Sequence, residues 1–121
     1  MRILFADKYP ELSVDKLKQK GQDCVLQPDL EADELDSVLG EYDVLVVRST
    51  QVTKKAIEAG KSLKMIIRAG AGTNTIDKDA AAARGIYVCN VPGRNAASVA
   101  ELAIGLLIAI DRNIPDNVLA L

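Results

Sequence analysis

Two short apolar runs in this sequence end in arginine. Val44-Leu45-Val46-Val47 is followed by Arg48, Ser49 and Thr50, and Met65-Ile66-Ile67 by Arg68 and the small-residue turn Ala69-Gly70-Ala71-Gly72. A guanidinium presents a planar fork of donors that matches a carboxylate or a phosphate. Two such forks at the ends of neighbouring strands project from one sheet edge, which suits a single acidic small molecule better than two unrelated surface ion pairs. The small residues at 69–72 leave backbone N–H groups open to an anion that larger side chains would obstruct. A third loop, Asn90-Val91-Pro92-Gly93-Arg94-Asn95, leads into a helix whose N-terminal dipole favours negative charge. Asn95 can donate to the same ligand or orient its own loop, and Arg94 reads as a solvated side chain.

Missing residues narrow the chemistry further. The chain has no histidine, which removes Ser-His-Asp and Cys-His nucleophile systems and His-ligated metals. Gly70-Ala71-Gly72-Thr73-Asn74-Thr75 falls one glycine short of G-x-G-x-x-G, and the strand before it is not the first of a Rossmann unit. Asp7 follows the first strand, where phosphate-accepting receiver domains keep an acid. Arg48 stands where such a domain needs its second acid, so a phosphoacceptor site is not expected. The residue set is one for holding an acid, with no catalytic residue and no metal ligand of its own.

Five strands are needed to position these loops. Ile3-Leu4-Phe5, Cys24-Val25-Leu26, Val44–Val47, Met65-Ile66-Ile67 and Ile86-Tyr87-Val88 are continuously apolar, which predicts buried strands rather than half-exposed ones. Between them Val14 and Leu17 share a helix face before Gly21, and Leu35, Val38 and Leu39 have i, i+3, i+4 spacing before Gly40. Thr53 is placed to cap a helix ending at Gly60, and a further helix covers Asp77 to Arg84 before Gly85. This alternation implies an α/β domain, a flavodoxin-like five-stranded parallel sheet with helices on both faces. Ser98 and Glu101 have capping-box spacing, so a long helix is expected to start at Ser98. Its body, Val99 to Ile110, is apolar almost all round and demands burial on every side, under more protein or against another chain. Asn113-Ile114-Pro115-Asp116 reads as the start of a further helix, in which the chain stops at Leu121. Residues 1–97 are thus read as one domain and 98–121 as a connecting helix with the beginning of the next.

At 121 residues and 49% hydrophobic content the chain supports one core. Its 15 basic and 17 acidic residues give a net charge of −2 with no basic run, which argues against nucleic acid as a partner. No apolar run reaches the about 18 residues a membrane span requires, and no signal peptide opens the chain, so the cytoplasm is expected. Cys24 and Cys89 are far apart and outside any C-x-x-C spacing, and are read as buried free thiols.

From Val44 to Pro115 the sequence resembles the N-terminal part of the D-2-hydroxyacid dehydrogenases, and most closely their D-3-phosphoglycerate dehydrogenase branch. The resemblance lies in Val47–Thr50, in Arg68–Asp77, and in Asn90–Asn95 followed by Ser98-Val99-Ala100-Glu101-Leu102. It implies that Arg48, Ser49, Arg68, Gly70 and Asn95 hold the acidic groups of a substrate, while Ala71 and Val99 face an NAD held by a neighbouring domain. That Rossmann domain, absent from these 121 residues, would supply the glycine-rich turn, a polarising arginine and a His-Glu acid–base pair. The implied reaction is hydride transfer from the 2-hydroxy carbon to NAD, with this half orienting the substrate and inactive alone. The apolar helix implies a homo-oligomer. The alternative is a naturally short non-enzymatic protein that dimerises through this helix or docks on a dehydrogenase subunit.

Overall fold

The computed structural model describes residues 1–120. Strands β1 (Arg2–Phe5), β2 (Asp23–Leu26), β3 (Val44–Val47), β4 (Met65–Arg68) and β5 (Tyr87–Asn90) form a parallel sheet in the order β2-β1-β3-β4-β5. The crossovers carry helices α1 (Glu11–Gln19), α2 (Leu35–Val38), α3 (Lys54–Ala59) and α4 (Lys78–Ala83), with a 3-10 turn at Leu39–Glu41. This is the flavodoxin-like order that the apolar runs predict. The Thr53 side chain accepts from the Ala56 N–H (3.3 Å), the cap read from the sequence, and Asp77, read as the first residue of the next helix, caps α4 by accepting from the Ala80 N–H (3.0 Å).

The two faces of the sheet are covered unequally. Leu4, Leu45, Val47 and Ile66 pack with Leu35, Leu39, Ile57 and Ala81 under α2, α3 and α4. The opposite face, with Ile3, Phe5, Val44 and Val46, meets Val14 and Leu17 of α1. Met65 pairs in register with Tyr87 and Ile67 with Cys89 on this second face. No described helix packs over β5 there, so Tyr87 is 72% exposed. The expectation of five buried strands is therefore corrected at β5, which is an exposed edge strand beginning at Tyr87. The expectation of two buried thiols is corrected with it: Cys24 is buried and Cys89 is exposed.

After β5 come α5 (Ala96–Asp111) and α6 (Ile114–Leu119). The predicted capping box at Ser98 and Glu101 does not form. Asn95 takes the cap position without a side-chain cap bond, its carbonyl accepts from the Val99 N–H (2.9 Å), and Ser98 is already helical. The start is two residues early because Gly93, at φ 74°, turns the chain where a side chain would be strained, and its carbonyl accepts from Ala96. Pro115 lies in the first turn of α6, as read from the sequence. The expectation that this helix runs on to Leu121 falls outside the described residues. The partner that α5 packs against most is α6, and Leu102, Leu107 and Ile110 remain 64%, 67% and 73% exposed. No described helix is long and apolar enough to cross a membrane.

The amino-terminal edge of the sheet is tied by Asp43. Its carboxylate accepts from Lys64 Nζ (2.7 Å) and from the Arg2 backbone N–H (2.9 Å). The Lys64 bond, with that from Arg2, holds the carboxyl below its ordinary range in the folded protein. A group depressed in this way stabilises the fold above its unfolded pKa of about 3.9 and ceases to do so as pH falls through its folded value. Urea unfolding should accordingly show a smaller acid-induced loss of stability in Asp43→Asn than in the parent between neutral pH and about pH 3. Parallel curves would show that Asp43 does not couple the fold to pH.

Candidate functional site

In register, Val47 lies beside Arg68 and Arg68 beside Asn90. The segments that leave β3, β4 and β5 therefore stand side by side at the carboxyl edge of the sheet, where doubly wound folds bind ligands. They enclose a cleft of about 550 Å³ lined by Arg48, Ser49, Arg68, Ala69, Gly70, Ala71, Val91, Arg94 and Asn95. The five residues expected to hold the acid, Arg48, Ser49, Arg68, Gly70 and Asn95, are all in this lining, and so is Ala71. Val99 is not. It stands one turn along α5 and is 55% exposed.

Asp7, directly after β1 and Ala6, organises the first loop. One oxygen of its carboxylate, Oδ2, accepts from the backbone N–H groups of Arg48 (2.7 Å), Ser49 (3.2 Å) and Thr50 (3.3 Å). The Thr50 hydroxyl donates to the Ala6 carbonyl (3.0 Å). Asp7 thus holds the turn from which Arg48 and Ser49 project. The strand order carries the signal for this role, since β1 neighbours β3 and the residues after their ends must be adjacent.

Arg68 joins the second loop to the first. Its Nε donates to the Arg48 carbonyl (3.1 Å) and its Nη1 to the Gly72 carbonyl (3.2 Å), leaving the remaining donors of the fork for a ligand. Folding the guanidinium back in this way requires glycine at position 70, where an added Cβ would lie 2.6 Å from Arg68 Nη1. This revises the reading of 69–72 as an open set of amides. The Ala69 N–H donates to Val47 and the Gly70 N–H to Arg68, so part of the turn is spent on the backbone and the glycine serves the arginine. The third loop is pinned to the second by the Val91 N–H on the Gly70 carbonyl (3.0 Å) and by Asn90 Nδ2 on the Ala71 carbonyl (2.6 Å).

The electrostatics are one-sided. No acidic side chain lines the cleft, and the ion pairs among the described residues leave out Arg48, Arg68 and Arg94. Tyr9, which the sequence reading passed over, lies in the same field. Its hydroxyl is pushed up to about 12, mainly by burial and further by the Asp7 charge, against the opposing pull of Arg48 and Arg68. That hydroxyl has no hydrogen-bond partner among the described residues, and its ring packs edge-on against Phe5 at 5.3 Å. Arg94, read from the sequence as solvated, is a third cation in the lining.

The two residues expected to face a dinucleotide, Ala71 in the lining and Val99 outside it, carry no polar or charged side chain that could hold a phosphate. Ala71 and Val99 offer small and apolar contact, whereas the space over Gly70, which a pyrophosphate-binding turn would keep open, is filled by Arg68.

Fold and site together define a flavodoxin-like α/β domain with a cationic cleft at its carboxyl edge. Residues 3–114 match the D-isomer specific 2-hydroxyacid dehydrogenase catalytic domain, and the chain belongs to that family. It is 47% identical over 114 residues to a hydroxypyruvate reductase of Thermotoga maritima, covering 93% of this chain and 37% of that protein. It is 40% identical over 116 residues to a D-3-phosphoglycerate dehydrogenase of Archaeoglobus fulgidus, covering 95% of this chain and 22% of that protein. Among solved structures it is similar to an NAD+-bound 3-phosphoglycerate dehydrogenase of Entamoeba histolytica, with a TM-score of 0.81 at 32% identity, over 90% of this chain and 38% of that one. The chain therefore spans well under half the length of these relatives.

The Asp7 contacts make a local prediction. Asp7→Ala should increase amide hydrogen exchange at Arg48, Ser49 and Thr50 by about tenfold or more, the effect of losing bonds to a charged acceptor worth about 1.5–3 kcal/mol. Exchange unchanged at those three amides would show that the carboxylate does not hold the loop.

Proposed function

We propose that this chain is the substrate-binding half of an NAD-dependent D-2-hydroxyacid dehydrogenase whose substrate is D-3-phosphoglycerate. The observation that carries the reading is the placement of Arg48 and Arg68 in one cleft that no acidic side chain lines. Both 3-phosphoglycerate and hydroxypyruvate, after which the relatives are named, carry a carboxylate beside the reacting carbon. Arg48 and Arg68 hold that carboxylate and fix the direction of the adjacent C–H bond. Ser49 and Asn95 add donors, and Gly70 leaves the room in which Arg68 takes up its position. Ala71 and Val99 face the NAD, which when bound accepts the hydride from the 2-hydroxy carbon. Residues 1–97 form the substrate domain and 98–121 the connection to a Rossmann domain that supplies the dinucleotide-binding turn and the acid–base pair. The chain has no histidine to serve as that acid or base, and it is inactive alone. The apolar surface of α5 is covered by that domain and by a second copy in a homo-oligomer.

Two arginines at an open edge contribute about 4 kcal/mol in charge-assisted hydrogen bonds, a dissociation constant on the order of 1 mM. NMR titration of the chain with 3-phospho-D-glycerate should give saturable shifts confined to residues 48–49, 68–71 and 94–95. Arg48→Ala and Arg68→Ala should each weaken binding about tenfold or more. Shifts scattered away from the cleft would refute the reading. With NAD and the same acid, the chain should yield no absorbance of reduced cofactor above buffer, and measurable turnover would relocate the acid–base function into these residues.

The α5 surface has its own test. Light scattering should find the purified chain as a defined oligomer that Leu107→Glu shifts toward monomer, whereas a monomeric parent would remove the self-association.

A further inference from the structure

The cleft holds more positive charge than one carboxylate can use. Arg94 lines it together with Arg48 and Arg68, and among the described residues Arg94 takes part in no ion pair. Its loop is anchored at the base by the Val91 N–H on the Gly70 carbonyl and closed at the other end by the Ala96 N–H on Gly93 (3.3 Å). The side chain therefore starts from a hydrogen-bonded loop after β5, separated from the Arg48 loop after β3 by the strand between them. A monoanionic 2-hydroxy acid engages the pair at the ends of β3 and β4 and leaves the third cation beside like charges with no anion of its own. An acid with a second anionic group relieves that repulsion and gains a further charge-assisted contact.

We propose that Arg94 is a specificity-determining residue that reads a second anionic group on the substrate, selecting 2-hydroxy acids bearing a distal phosphate or carboxylate over those bearing none. The inference rests on the reading of the cleft as the substrate site. It assigns to Arg94 a function separate from that of Arg48 and Arg68, which hold the carboxylate common to all such acids.

Two matched pairs of ligands test it on the 121-residue chain by NMR titration. 3-Phospho-D-glycerate against D-glycerate isolates the phosphate, and D-malate against D-lactate isolates the second carboxylate. The parent chain should bind the member carrying the second anionic group in at least one pair about tenfold more tightly. Arg94→Ala should abolish that preference while leaving affinity for D-glycerate and D-lactate within about twofold, and Arg94→Lys should retain part of it. A gain with phosphate alone or with carboxylate alone identifies which group Arg94 takes. A preference that survives in Arg94→Ala, or an equal loss for acids with and without the second anionic group, overturns the proposal and leaves the substrate-site reading intact. Failure of the parent to bind any of the four acids overturns both.

Discussion

One carboxylate oxygen governs the geometry of the site. Asp7 Oδ2 gathers the N–H groups of Arg48, Ser49 and Thr50, so a loop that would otherwise leave β3 freely is held to the end of β1. The Arg48 carbonyl, fixed by this turn, becomes the acceptor for Arg68 Nε. Through Gly72 the same guanidinium secures the loop after β4, and the loop after β5 hangs from Gly70 and Ala71. The bonds form a sequence from β1 to β5 across the sheet edge, in which each loop supplies the acceptor that orders the next. Behind it, Val52 accepts from the Asp77 N–H and donates to the Thr75 carbonyl, joining the far ends of the first two loops. A binding site on loops is in this way given the rigidity of the sheet.

Such rigidity matters because the cleft gathers like charges. The protein as a whole carries a net charge of −2, yet three arginines line one cleft without an acid among the lining residues. Flexible loops would relax this repulsion by turning the guanidiniums outward into water. Backbone carbonyls hold Arg68 instead, and they do so without neutralising it. Asp7 contributes its charge to backbone amides behind the loop, where it orders Arg48 without pairing with its side chain. Acceptors are thus supplied for position and withheld from the space an anion would fill, the arrangement that preorganised recognition of an acid requires.

Much of this was legible in the residues, and the exceptions share a cause. The apolar runs ending in Arg48 and Arg68 locate both the strands and the ligand edge, because a parallel sheet buried on both faces needs continuous apolar strands and presents its carboxyl ends together. The cap at Thr53 was readable because a cap is a contact over three residues. Asp7 was not, since its partners lie more than forty positions away and are backbone groups that any sequence possesses. Gly70 could be recognised as special, but its purpose depends on where one side chain folds. The capping-box spacing at Ser98 misled because Gly93 starts the helix before the box is reached. β5 misled for another reason: its composition is that of a covered strand, while its exposure follows from which crossovers lie over which face.

The mismatch between composition and exposure is greatest at α5. Burying a Leu or Ile side chain is worth about 1.5–3 kcal/mol relative to leaving it in water, and Leu102, Leu107 and Ile110 are among several on this helix more than half exposed. A contiguous apolar surface of this kind is rarely left uncovered by a soluble protein. The same helix begins directly after Asn95, which lies within the lining of the cleft. Under the proposed function, apolar burial on α5 supplies the free energy that brings the neighbouring domain to the cleft, and a bound acid makes that approach more favourable by neutralising the arginines. On the proposed reading, that coupling is what allows a site with only millimolar affinity for its acid to belong to an effective enzyme.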